Sequence, residues 1–264
     1  MEKKIVILTG GTSGIGLETA KCLVSAGCTV YEFSRREADL PGIRHMRVDV
    51  AVAAQVNDAV EQVFAAEGRI DVLVNNAGFG ISGAFEFTDE ADARKLMDVN
   101  LFGMNNTIRA VLPHMRAAGR GRIVNLSSVA GPLPIPFQAW YSISKAAVNA
   151  LTMSLANEVK PYGISVCSVM PGDIKTGFTS ARKKSAIGDD VYGGRIARSV
   201  SRLERDEQTG MDPAKAGRFI ANLALKRRVN PYNTIGIAYK GCVLLSKILP
   251  GPLVRFILGE MYAK

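Results

Sequence analysis

The chain is poor in residues that form metal sites or disulfides. Its 264 residues include four cysteines (Cys22, Cys28, Cys167, Cys242) and two histidines (His45, His114). No cysteine pair has C-x-x-C spacing, which argues against a zinc site or a redox dithiol. No metal is therefore expected, and the cysteines read as free thiols in a reducing cytoplasm. Long apolar runs are missing too. Ile5-Val6-Ile7-Leu8 stops at Thr9-Gly10, too short for a secretory signal, so it reads as a buried strand. The apolar stretch 235–258 is broken by Lys240, Lys247, Pro250, Pro252 and Arg255, so it cannot cross a bilayer as one helix. Without repeats, low-complexity segments or an obvious linker, one domain spanning 1–264 is expected.

What is present is an ordinary globular composition, 47% hydrophobic and 22% charged. The length suffices to bury a core without staples. Lys and Arg number 33 against 24 Asp and Glu, a net charge of +9. Such a balance points to an anionic partner: nucleic acid, a membrane surface or a phosphate-bearing ligand. The chain carries no recognition-helix motif and no basic stripe interleaved with aromatics, so nucleic acid is not expected.

Short β-rich runs alternate with helical patterns. Candidate strands are 5–8, 29–33, 44–48, 72–74, 122–126 and 165–169, and candidate helices are 15–26, 53–66, 90–118 and 139–162. Strands joined by crossover helices imply a parallel sheet covered on both faces. Ligands of such sheets bind beyond the carboxyl ends of the strands, where the strand order reverses.

The first strand runs into Thr9-Gly10-Gly11-Thr12-Ser13-Gly14-Ile15-Gly16 and then a helix. Glycines here permit a tight turn, close approach of a phosphate and close packing of helix on strand. The helix start offers free N–H groups and a positive dipole end to a pyrophosphate. The second strand ends at Phe33-Ser34-Arg35-Arg36. A carboxylate at this point would bind ribose hydroxyls and repel a 2′-phosphate, whereas guanidinium groups bind that phosphate with paired bonds. Ser34, Arg35 and Arg36 therefore favour NADP(H) over NAD(H).

From Lys4 to about Phe178 the motifs resemble the short-chain dehydrogenase/reductase family. The resemblance rests on Thr9-Gly10-x-x-x-Gly14-Ile15-Gly16, Asp49-Val50, Asn75-Asn76-Ala77-Gly78, Val99-Asn100, Ser127-Ser128, Tyr141-x-x-x-Lys145 and Pro171-Gly172-x-Ile174-x-Thr176, in that order. It implies one Rossmann-type α/β domain: a doubly wound parallel sheet, helices on both faces and a C-terminal helical extension. By the same resemblance Gly10, Thr12, Ser13, Gly14, Ile15 and Gly16 form the cofactor loop. Asp49 and Val50 contact adenine. Asn76, Ala77, Gly78, Pro171, Gly172, Ile174 and Thr176 line the rest of the cofactor site, with Tyr141 and Lys145. The family's serine stands thirteen residues before its tyrosine, which selects Ser128 over Ser127.

Tyr141 and Lys145 are four apart, so they share a helix face. A phenol is a poor base at neutral pH, and a nearby ammonium lowers its pKa. The resemblance implies that Tyr141 is the general acid/base, Lys145 binds the nicotinamide ribose, Ser128 holds the substrate oxygen and Asn100 orders a water leading from Lys145 to solvent. The reaction is hydride transfer between the cofactor and a carbonyl carbon, coupled to proton transfer at Tyr141.

The segment 177–210 carries Arg182, Lys183, Lys184, Arg195, Arg198, Arg202 and Arg205 among five acidic residues. A solvated mobile lid is the expectation, and an acidic or acyl-thioester substrate the alternative. A helix over 213–225 and an edge strand over 232–237 follow. In the tail 238–264, Pro250-Gly251-Pro252 should split two helices. The tail resembles that of the hydroxysteroid and retinol dehydrogenase-like branch, and ordinary packing is expected of it ahead of contact with a membrane. Phe79, Ile81, Leu133, Ile135, Phe137 and Trp140 are candidate pocket walls and suit a lipophilic ketone or alcohol. A catalytically silent NADP-binding regulator is a further reading, opposed by the complete Asn100, Ser128, Tyr141 and Lys145 set. The resemblance also implies pairing through the helices at 90–118 and 139–162, in a homodimer or homotetramer.

Overall fold

Every position of Ile5–Thr9 is buried, and this apolar run forms β1 of a computed structural model that describes residues 3–264. In chain order follow α1 (Gly14–Ser25), β2 (Thr29–Ser34), β3 (Ile43–Arg47), α2 (Ala53–Glu67), β4 (Val72–Asn75), β5 (Ile81–Ser82), α3 (Glu90–Met97), α4 (Gly103–Ala117), β6 (Gly121–Leu126) and α5 (Ala139–Val159). Next come β7 (Ile164–Met170), α6 (Phe178–Ala181), β8 (Lys183–Lys184), α7 (Arg195–Gln208), α8 (Pro213–Leu225), β9 (Tyr232–Thr234), α9 (Ile237–Leu245) and α10 (Gly251–Tyr262).

Seven strands form one parallel sheet in the order β3-β2-β1-β4-β6-β7-β9. This is the Rossmann-type doubly wound sheet, with its order reversing between β1 and β4. Successive side chains of a strand point to opposite faces. Ile5 and Ile7 accordingly join a core with α2, α4 and α5, while Val6 and Leu8 join one with α1 and α8. Burial on both faces explains why β1 has no polar alternation.

A chain of buried polar groups crosses the first of these cores. Thr107 Oγ1 donates to Asn75 Oδ1 at 2.6 Å, Asn75 Nδ2 to Asn125 Oδ1 at 3.0 Å, and Asn125 Nδ2 to Thr152 Oγ1 at 3.0 Å. It ties α4, β4, β6 and α5 in register, and its satisfied members avoid the cost of buried unpaired groups.

Three expectations change. The helix anticipated over 90–118 is two helices, α3 and α4, joined by a π-helical turn over Asp98–Phe102. The cause is Asn100, whose amide holds the backbone of Phe79 instead of facing solvent. The segment 177–210 is not a solvated loop. Its β8 pairs with β5 in a second small sheet, and α7 buries Ile196, Ser199 and Leu203. Arg182, read as part of a solvated basic segment, is 4% exposed and paired with Glu207. The edge strand is shorter than 232–237, because Gly236 turns the chain into α9. The tail does split into two helices, on either side of Pro250. Among the described residues, no helix is long and apolar enough to cross a membrane.

Candidate active site

The glycine loop lies where β1 ends, opposite the end of β4. Thr9 Oγ1 accepts from the N–H groups of Asn76 and Ala77, both at 3.0 Å. Asn76 Nδ2 returns bonds to the carbonyls of Thr9 at 3.1 Å and Gly10 at 2.8 Å. Gly10 has φ +68°, and a Cβ on Gly16 would stand 2.2 Å from the Gly10 carbonyl oxygen. Only glycine allows that turn and that approach. Helix α1 starts at Gly14 with no side-chain cap from Ser13 and no acidic residue in its first turn. Its N–H groups are therefore available to an anion.

A cleft of about 1120 Å³ runs over these strand ends. Gly10, Thr12, Ser13, Gly14, Ile15 and Gly16 line it with Ser34, Arg35, Arg36, Asp49, Val50, Asn76, Ala77 and Gly78. Ser128, Tyr141, Lys145, Pro171, Gly172, Ile174 and Thr176 line it as well. Residues scattered from 10 to 176 thus share one surface. An anion-ready helix start, a side-chain-free loop and two exposed guanidinium groups fit a dinucleotide phosphate at one end of the cleft.

Glu32 is a residue that the sequence reading missed. It is fully buried in β2, where its carboxylate accepts from the Gly11 N–H at 2.7 Å and from Ser34 Oγ at 3.2 Å. His45 Nδ1 lies 2.7 Å from the same carboxylate. Glu32 thus links the glycine loop to the strand end that carries Arg35. Its signal was a lone acid within the apolar run 29–33, since buried acids need partners.

Asn100 does not line the cleft. It is fully buried behind the cleft wall, where Oδ1 accepts from the Phe79 N–H at 3.0 Å and Nδ2 donates to the Phe79 carbonyl at 2.9 Å and to Ser144 Oγ at 3.2 Å. A Cβ on Gly78 would lie 3.0 Å from Asn100 Oδ1 and 3.7 Å from Lys145 Nζ, so these groups are neighbours.

Ser127 turns inward and donates to the Lys145 carbonyl at 2.9 Å, whereas the Ser128 hydroxyl meets that of Tyr141. The two serines separate as strand alternation requires. Burial pushes the Tyr141 phenol up to about 12. The Ser128 bond and the Arg182 charge pull it down, and Glu207 and Asp173 push it up. Burial also draws the Lys145 ammonium down to about 8. Its Nζ donates to the Leu126 carbonyl at 2.9 Å and lies over the Tyr141 ring, 5.6 Å from its centroid. The expected depression of Tyr141 by Lys145 is therefore corrected: desolvation dominates.

Phe79 and Ile135 line the cleft, as do Val129, Phe178, Ala181 and Leu203. Ile81, Leu133, Phe137 and Trp140 do not line it. Trp140 stacks on Phe85 at 5.7 Å, and Phe137 meets Tyr192 edge-on at 5.6 Å. The far wall carries a polar cluster that no motif announced. Glu207 accepts from Thr179 Oγ1 at 2.5 Å and from Arg182, and Tyr239 donates its hydroxyl to Asp173. Burial raises the Asp173 carboxyl above the usual carboxylate range. No group of three His, Cys, Asp or Glu side chains suited to a metal occurs among the described residues.

Comparison with known proteins bears on this geometry. The family model described as short chain dehydrogenase matches residues 4–186, and the chain belongs to that family. It is 40% identical to a 3-ketodihydrosphingosine reductase of Bacteroides thetaiotaomicron, covering 100% of this chain and 99% of the relative. A 3-alpha-(or 20-beta)-hydroxysteroid dehydrogenase of Mycobacterium bovis is 34% identical, over 76% of this chain and 78% of its own. The crystal structure of a short-chain dehydrogenase from Streptomyces avermitilis superposes with a TM-score of 0.85 at 32% identity, covering 98% of this chain and 96% of that one. The chain is thus an oxidoreductase of a family that uses nicotinamide cofactors.

Two outcomes are expected of this site. Gly16→Ala forces a Cβ onto the Gly10 carbonyl, so NADPH affinity in a fluorescence titration should fall at least about tenfold, or ~1.4 kcal/mol. Lys145 is charged below about pH 8 and neutral above it. If its ammonium holds the cofactor ribose, kcat/KM for NADPH should decline as pH rises through about 8, and Lys145→Arg should flatten that decline.

Proposed function

We propose that this short-chain dehydrogenase/reductase is an NADP(H)-dependent reductase of a lipophilic ketone, a long-chain amino ketone such as 3-ketodihydrosphingosine foremost. The observation that carries the reaction is the Tyr141 hydroxyl, bonded to Ser128 over the cleft and protonated at neutral pH. A protonated phenol is an acid, which suits ketone reduction better than alcohol oxidation. When bound at the glycine loop, NADPH would supply the hydride that reduces the carbonyl carbon. Ser128 orients the carbonyl oxygen, and Tyr141 gives it a proton, yielding the alcohol. Lys145 holds the cofactor ribose beside Tyr141. Asn100 fixes the Phe79 backbone and Ser144, so that α5 presents Tyr141 and Lys145 at the right depth.

Arg35 and Arg36 support NADP(H). Both are exposed at the end of β2 and line the cleft, and the carboxylate of β2 itself, Glu32, is buried beneath the loop. The lipophilic substrate is supported by the Val129, Ile135, Phe178, Ala181 and Leu203 wall and by the full-length match to a sphingoid-ketone reductase. The acidic-substrate alternative is weakened, because three of the seven lid cations have acidic partners: Arg182 with Glu207, Lys183 with Asp92, Lys184 with Glu204. Segment 177–210 then serves as the substrate-side wall. Phe102, Ile143 and Met153 stand exposed at or near α4 and α5, which supports a homodimer through that face. The four free thiols suit a reducing cytoplasm.

The assay is NADPH or NADH oxidation against 3-ketodihydrosphingosine, steroid ketones, fatty ketones and small sugars. Long-chain ketones with NADPH should turn over fastest, and a preference for sugars would overturn the substrate reading. Arg35→Ala should cut the NADPH-over-NADH preference by about 10- to 100-fold, the value of a hydrogen bond to a charged group. A wild-type preference for NADH would overturn the assignment of Arg35. Tyr141→Phe should lower kcat by about 10²- to 10⁴-fold with NADPH affinity kept, as loss of a general acid does. Unchanged turnover in that variant would remove Tyr141 from the chemistry.

A further inference from the structure

The net charge of the chain is not spread evenly. Between Asp212 and Glu260 there is no acidic residue, while Lys215, Arg218, Lys226, Arg227, Arg228, Lys240, Lys247 and Arg255 fall in that stretch. Residues 213–264 hold nine Lys and Arg and one acid, a net +8, which leaves +1 for the first 212. The single acid, Glu260, is paired with Lys264.

The same region carries the exposed apolar surface. On α9 and the turn after it, Ile237 is 89% exposed, Leu244 60%, Leu245 53% and Ile248 70%. On α10 Phe256 is 63% exposed, flanked by Leu253, Ile257 and Met261. Both sets recur at helical spacing, so each helix turns an apolar stripe outward. The opposite faces are used. Val243 is buried and Tyr239 bonds Asp173, while Arg195 and Arg198 on α7 donate to the carbonyls of Ala263 and Lys264 beyond the end of α10. The helices are therefore docked, and their outward stripes are not a packing face waiting for this chain's own core.

We propose that α9 and α10 form a peripheral membrane-binding surface for an anionic bilayer. A helix that lies in the interface presents an apolar stripe with cations at its margin, and anionic headgroups add electrostatic attraction. Lys240 on α9, Lys247 in the turn after it and Arg255 on α10 lie beside the stripes in sequence and are exposed. Lys247 Nζ lies 5.7 Å from the Tyr232 ring centroid, at the start of β9 and four residues beyond the Lys226–Arg228 run. A second copy of this chain fits less well, because two such faces would bring like charges together without acids to offset them. The surface also adjoins the cleft: Tyr239 packs against Gly172, and α7, on which α10 rests, supplies Leu203 and Glu207 to its wall. A lipophilic ketone would meet the enzyme there, although binding to a bilayer does not require that substrate.

Co-sedimentation with vesicles of phosphatidylcholine alone and of phosphatidylcholine with 40% phosphatidylglycerol tests the proposal, the latter fraction being about the level at which surface charge dominates. The wild type should pellet with the anionic vesicles, at least about tenfold more than with the neutral ones, and 1 M salt should release part of it. Ile248→Glu with Phe256→Glu should abolish pelleting, and Lys247→Glu with Arg255→Glu should remove the preference for anionic lipid. All variants should keep wild-type circular dichroism, solution mass and NADPH affinity. Wild type that stays in the supernatant with both vesicles overturns the proposal. So does a lowered solution mass in the Ile248/Phe256 variant, which would assign the stripes to a subunit interface. Because the readout is pelleting, failure of the ketone assay leaves this test intact.

Discussion

The carboxyl ends of β1 and β4 are locked together by Thr9 and Asn76, and the working surface of the protein hangs on that junction. Thr9 Oγ1 accepts from the Asn76 and Ala77 backbone amides, and the Asn76 side-chain amide donates to the Thr9 and Gly10 carbonyls. Here the sheet order reverses, so crossover helices leave in opposite directions and a crevice opens without cost to packing. The glycine loop cannot stray, since its backbone is bonded to β4 on one side and to the Glu32 carboxylate on the other. A preorganised loop of this kind loses little entropy when a phosphate arrives.

A second constraint acts at the reacting end. Tyr141 and Lys145 both sit where water is scarce, and desolvation moves them in opposite directions, the phenol upward and the ammonium downward. Each shift favours the uncharged form, so the two proton affinities move apart, the phenol to about 12 and the ammonium to about 8. The polar chain from Thr107 through Asn75 and Asn125 to Thr152 holds α4 and α5 on the sheet, so the depth of that pair is set by the core and not by a loop.

Much of this was legible beforehand because apolar runs and turn glycines are local features of the chain. Apolar runs bounded by glycine mark β1, β4 and β6, and the dense glycines after β1 announce a turn that no other residue can make. The Tyr141 and Lys145 spacing is a property of one helix. What stayed hidden is non-local. The π-helical turn at Asn100 arises from a bond to Phe79, twenty-one residues away. Arg182 read as a surface cation because its partner, Glu207, lies on a different helix. Four of the six aromatic and aliphatic wall candidates pack elsewhere, since apolar character alone does not say which side of a backbone faces a cleft.

The sequence by itself determined the strand–helix order, the glycine loop, the guanidinium pair at the end of β2 and the chemistry-bearing residues, because each follows from local sterics or from period. Only the tertiary structure decided how deep Tyr141 and Lys145 lie, that Glu32 fastens the loop, and that Arg182, Lys183 and Lys184 are paired with acids. Those outcomes depend on which groups distant in the chain share a low-dielectric environment, a quantity that exists only once the sheet and its helices have closed around it.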